Sequence, residues 1–82
     1  MNTNLQHEIE LGFARTLHMP VEELPSSFTN NEAAKLLDTS PGTLAVWRCT
    51  KRYKIPYFKI GSNVRYPLFG LVKFKADSLK EV

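Results

Sequence analysis

FTNNEAAKLLDTSPGTLAVWR, residues 28–48, holds two helix starts in close succession, and the fold turns on them. Thr29-Asn30-Asn31-Glu32 is a capping box: the Thr29 hydroxyl can accept from the Glu32 amide while the Glu32 carboxylate reaches back. Phe28 stands before the cap, where it can staple onto Ala33. Ala33, Ala34, Leu36 and Leu37 then supply the apolar face of a helix of about eight residues. Two small alanines let a second helix approach closely. Asp38-Thr39 breaks the helix, and Ser40-Pro41 starts another, with Ser40 as cap and Pro41 at the first helical position. Leu44 and Trp47, three apart, form its buried edge. Two short helices joined by a turn of about three residues make a helix-turn-helix pattern.

Downstream, Pro56 ends whatever precedes it. Tyr57-Phe58-Lys59-Ile60 and Val64-Arg65-Tyr66 are β-prone runs separated by Gly61-Ser62-Asn63, residues able to take positive φ. Alternation puts Phe58 and Ile60 on one face with Val64 and Tyr66, and turns Lys59 and Arg65 outward. That hairpin would be a wing. After Pro67, the apolar positions Leu68, Leu71, Val72 and Leu79 fit a final helix with Lys73, Lys75 and Lys80 exposed, although Gly70 weakens its first turn. Upstream, Leu5, Ile9, Phe13 and Leu17 recur every four residues and predict an amphipathic helix over 4–17, weakened at Gly12 by ~1 kcal/mol relative to alanine. Pro20, Pro25, Ser26 and Ser27 punctuate the stretch between, where Val21 and Leu24 add one more turn. The expected architecture is mainly α with a small β-hairpin: a winged helix-turn-helix over 28–82, preceded over 1–27 by an extra N-terminal helix and linker.

Eighty-two residues allow one small core. With 43% hydrophobic and 23% charged residues the chain is too apolar to be disordered. No apolar run reaches the roughly 18–20 residues of a membrane span. The opening MNTNLQHEIE lacks the basic-then-apolar order of a secretory signal, and Cys49 is the lone cysteine. A reducing cytoplasm is the expected compartment. Neither HExxH, GxGxxG, a P-loop nor a paired-carboxylate site occurs, and His7 and His18 have no metal-ligand spacing, so no enzyme, metal or cofactor is expected.

Charge is unevenly spread. Residues 1–27 hold four acids against Arg15, a net of −3, and residues 28–82 hold ten bases against four acids, a net of +6. From Thr39 to Ala76 there is no acid, but eight Lys or Arg interleave with Trp47, Tyr53, Tyr57, Phe58 and Tyr66. A positive field over half a small domain suits a polyanion, although it also serves a merely solvated face.

FTNNEAAKLLDTSPGTLAVWR followed by IPYFKIGSNVRY resembles the excisionase-type, MerR-like winged-helix DNA-binding family, over about Phe28 to Phe74. Its most specific parts are Glu32-Ala33-Ala34 with Leu36-Leu37, the Ser40-Pro41, Thr43-Leu44 and Trp47 register, and Pro56, Lys59-Ile60-Gly61 and Val64-Arg65-Tyr66. The resemblance implies a small bacterial or phage protein that binds DNA with the second helix in the major groove and the wing beside the backbone. Such proteins direct site-specific recombination or regulate transcription. The last helix departs from the family pattern: Tyr66-Pro67-Leu68-Phe69-Gly70-Leu71 replaces a polar cap and acid, which leaves Phe69 exposed for a partner.

The candidate contacts follow. With Leu44 and Trp47 inward, Gly42, Thr43, Ala45, Val46 and Arg48 lie nearer the surface of the second helix, where base edges are met. Thr43 suits a phosphate or a base, Arg48 a guanine edge or a phosphate, and Ala45 and Val46 thymine methyls. Lys51, Arg52 and Lys54 on the link suit the backbone; Lys59, Ser62, Asn63 and Arg65 on the wing suit phosphate or the minor groove. Trp47 reads as core rather than a stacking platform, and Cys49 as an inert, half-buried thiol. The partner expected is double-stranded DNA, bound by an excisionase-like accessory factor or small transcriptional regulator near the nucleoid. A recombinase, a transcription protein or a second copy would supplement so small a reading surface. The alternative is a protein-interaction adaptor on the same fold. The stripe of the first helix must pack on its own domain, pair with another copy, or stay a disordered tail.

Overall fold

A computed structural model describes residues 3–79. In chain order these form α1 (Thr3–Thr16), a 3-10 turn (Val21–Glu23), β1 (Ser27–Thr29), α2 (Asn30–Leu36), α3 (Pro41–Thr50), β2 (Phe58–Ile60), β3 (Asn63–Pro67) and α4 (Leu68–Leu79). The strands make one antiparallel sheet in the order β1-β3-β2. The fold is thus mainly helical with a small sheet. Among the described residues, no helix is long and apolar enough to cross a membrane. The expected exposure of Lys80 lies outside the described residues.

The helix starts form as their sequences dictate. At α2, the Glu32 amide donates to the Thr29 hydroxyl (3.2 Å) and the Thr29 amide donates to the Glu32 carboxylate (2.9 Å). At α3, the Thr43 amide donates to the Ser40 hydroxyl (3.1 Å), with Pro41 in the first turn. Three helix ends share one device. His18, Asp38 and Lys51 take left-handed φ values of 57°, 56° and 57°. The next amide then bonds back into the last turn: Met19 to Ala14 O, Thr39 to Ala34 O and Arg52 to Trp47 O. Glycine is the usual residue there, and none of the three is glycine.

The core draws on α1, β1, α2, α3, the link before β2, β3 and α4. Phe28, Ala33, Leu44, Tyr66 and Leu71 are almost wholly buried, and Ile9 and Phe13 from α1 enter the same cluster. The Leu5/Ile9/Phe13/Leu17 stripe thus packs on its own chain, with α1 lying against α4 and α2. At α4 the missing polar cap is replaced from outside, because the Leu68 amide donates to the Ser26 carbonyl at 2.8 Å. Gly70 lets α4 and Pro56 approach closely there: a Cβ at this position would stand 3.1 Å from the Pro56 ring, tight enough that the ring would have to give by a few tenths of an ångström. Phe69 is 70% exposed, as the departure from the family pattern implied. Leu79, assigned to the apolar face of α4, is also exposed.

Further expectations are corrected. Residues 27–29, expected to hold only linker, staple and cap, also form β1, pairing Phe28 with Tyr66 and Thr29 with Arg65, while Thr29 keeps its place as the cap of α2. Phe58 and Ile60 do not share a face with Val64 and Tyr66. The hairpin turns on two residues, Gly61 and Ser62, so Ile60 pairs with Asn63, Lys59 with Val64 and Phe58 with Arg65. Of the turn residues Gly61-Ser62-Asn63, Gly61 takes positive φ (64°), which suits the first position of a two-residue turn. A three-residue turn would have set the register one residue differently, and a one-residue shift exchanges the faces. Phe58 and Ile60 therefore stand exposed beside Arg65 and Asn63. Finally, Cys49 is exposed, not half-buried.

Candidate nucleic-acid interface

The starts of α2 and α3 are tied together, and the tie fixes how α3 is presented. The Asn30 side-chain amide donates to the Pro41 carbonyl at 3.1 Å. The same side chain accepts, through its oxygen, from Arg48 at 3.1 Å and from the Tyr66 hydroxyl at 3.3 Å. Arg48 also donates to the Tyr66 hydroxyl at 2.7 Å and lies 5.8 Å from the centre of the Tyr57 ring. One guanidinium thus links α2, α3 and β3.

This arrangement changes the place of Arg48. The sequence put it among the surface residues of the second helix, aimed at a base or a phosphate. The folded chain holds it half-buried, with one terminal nitrogen committed to Tyr66 and Asn30. The spacing from Leu44 and Trp47 located the residue on the helix but gave no sign of the Tyr66 hydroxyl behind it.

The rest of α3 presents itself as expected. Gly42, Thr43 and Val46 are exposed, Val46 at 56%, and Ala45 is half-buried. The Ser40 hydroxyl donates to Thr43 Oγ1 at 2.8 Å, which orients that hydroxyl while leaving its own proton to be donated outward. Trp47 packs half-buried against the core and meets Tyr53 edge to face at 4.8 Å; Tyr53 in turn meets Phe74 at 5.6 Å. These rings fasten the link of residues 51–57 to α3 and α4.

An open groove of about 640 Å³ runs between the start of α2 and the hairpin. Arg48, Ser62, Asn63 and Arg65, four of the expected contacts, line it. Ser27, Thr29, Asn30 and Asn31 also line it, and sequence reasoning missed them because the capping box already explained that segment. Among the described residues, no carboxylate borders the groove. Arg65, expected to point freely outward, donates to the Ser27 hydroxyl from Nε (3.2 Å) and from a terminal nitrogen (3.1 Å), and to the Ser27 carbonyl (3.2 Å). It is a half-buried strut between β3 and β1.

The other cations lie outside this groove. Lys51, Arg52, Lys54 and Lys59 are exposed on the link and hairpin. Arg52 lies 5.5 Å from the Tyr53 ring centre, and hydrogen bonding with Tyr53 raises its pKa further above the ordinary range, so it remains cationic. Lys75 faces Asp38 at 3.7 Å. No family model, curated protein or solved structure matches this chain.

Proposed function

We propose that this chain is a winged helix-turn-helix domain that binds double-stranded DNA, with α3 in the major groove and the β2–β3 hairpin as the wing. The observation that carries the reading is the groove between helix starts and hairpin, bordered by guanidiniums, amides and hydroxyls and, among the described residues, by no carboxylate. Phosphate oxygens only accept hydrogen bonds, so a border without acids among the described residues, where two guanidiniums keep their positive charge and Asn31, Ser62 and Asn63 add donors, suits them. Gly42, Thr43, Ala45 and Val46 then face the bases, with Thr43 the one strong polar reader among them. Arg48 sets the angle of α3 instead of reading sequence. Lys51, Arg52, Lys54 and Lys59, with Ser62 and Asn63 at the hairpin tip, contact the backbone or the adjacent minor groove. The resemblance to excisionase-type proteins favours an accessory factor in recombination or a small transcriptional regulator, working with a recombinase, a transcription protein or further copies.

Equilibrium binding to fluorescent duplexes at graded salt tests this. With about five phosphates neutralised, log affinity falls against log salt with a slope of about −4 to −5. Thr43→Ala changes which duplex is preferred, whereas Lys59→Gln weakens all duplexes alike. Affinity that ignores salt sinks the reading. A second reading, the protein-interaction adaptor, draws on the exposed Phe58, Ile60 and Phe69; it gains if no duplex binds even in dilute buffer.

A further inference from the structure

A second hollow, of about 280 Å³, lies between the C-terminal half of α3 and the link. Its floor is apolar, made by Leu44, Ile55 and the ring of Tyr66, all buried. Its walls are the rings of Trp47, Tyr53 and Tyr57, and its rim carries Arg48, Lys51 and Lys54. Among the described residues, no carboxylate lines it. Residues 51–57 form neither helix nor strand, and the Tyr53 ring against Trp47 and the buried Ile55 anchor them beside α3. In so small a domain, an open concavity walled by three rings forgoes dispersion contacts that a collapsed loop would gain.

The chemistry of the lining selects an occupant. Ring walls favour a flat aromatic body, by stacking or edge contact. Three cations without an acid favour one anionic group at the mouth. Arg48 is placed to receive it, since its Nε and second terminal nitrogen make no hydrogen bond among the described residues. The geometry points to a binding site for a small planar aromatic anion, one or two fused rings bearing a carboxylate or a phosphate. The site shares Arg48 with the groove and Lys51 and Lys54 with the proposed backbone contacts, and the inference stands whether or not the domain binds DNA.

The test is a titration of the full ¹⁵N-labelled chain with 2-naphthoate, followed by amide shifts and by the indole N–H of Trp47. Saturable shifts at Leu44, Trp47, Ile55 and Tyr57 are expected, with a dissociation constant below about 1 mM. Neutral 2-naphthamide should bind at least about ten-fold more weakly, because it leaves the cations unpaired. Running 2-naphthyl phosphate in parallel separates the two anionic groups, the tighter binder naming the class. Lys54→Gln, at an exposed position whose loss leaves the fold intact, should weaken naphthoate about three-fold. Equal binding of naphthoate and naphthamide overturns the inference, as do shifts that stay linear or scatter beyond the hollow.

Discussion

At the scale of single residues, the two most informative positions are ones whose side chains work against their ordinary roles. Arg48 is a surface-type residue used as an internal tie. Replacing it with alanine removes charge-assisted bonds to Tyr66 and Asn30, and should cost about 1.5–3 kcal/mol. Thermal or urea unfolding measures this, and a loss under about 0.5 kcal/mol would show that the tie contributes nothing. His18 works against its backbone. An L-residue held at φ 57° pays a steric cost of roughly 1–2 kcal/mol, which glycine escapes while losing part of the gain to its freer unfolded chain. His18→Gly should therefore stabilise the protein by about 0.5–1 kcal/mol, raising the melting temperature by a few degrees. Lys51→Gly should do the same for folding, but it would also remove a rim cation.

At the scale of elements, legibility followed how local the deciding interaction is. The capping box, Ser40-Pro41 and the four-residue stripe of α1 declare themselves within a few residues, and α1, α2 and α3 lie where they were expected. β1 was hidden because its partner, β3, is far along the chain, and Ser27-Phe28-Thr29 already had a sufficient local explanation. The hairpin faces were misread because one turn residue decides them, and Gly61-Ser62-Asn63 permits two turn lengths. The candidate site divides the same way. Its cations and the exposed face of α3 follow from spacing, whereas Asn30 and Asn31 enter only through the tertiary fold. The corrected register makes a test. Phe58→Thr with Ile60→Thr should cost under about 0.5 kcal/mol, since both face solvent; a core-facing pair would lose several times that. Circular-dichroism melts decide between these.

At the scale of the whole molecule, the acidic first third is structural. α1 gives Ile9 and Phe13 to the common core, so a chain beginning at Ser27 should keep its oligomeric state and lose stability. Burial of those two side chains alone amounts to about 3–6 kcal/mol, a large part of what a domain this size holds. Sedimentation and melting together test it: loss of a dimer on truncation would mean that α1 also joins copies. The same packing gathers the cations of residues 48–65 around α3, the link and the hairpin, while Lys75 is answered by Asp38.

The outermost strand has a last consequence, which concerns how the protein behaves when crowded. β2 closes one side of the sheet, so the outer edge of Phe58-Lys59-Ile60 is open to a strand from another molecule, and all three side chains are exposed. Two apolar residues on an unpaired edge invite edge-to-edge aggregation, and a central lysine is the ordinary guard against it. Lys59 sits between them, where stacked copies would have to bring like charges together. Lys59→Val should leave the melting temperature nearly unchanged, yet make concentrated solutions scatter light and deposit β-rich material on standing. If they stay clear, the shortness of the strand is guard enough.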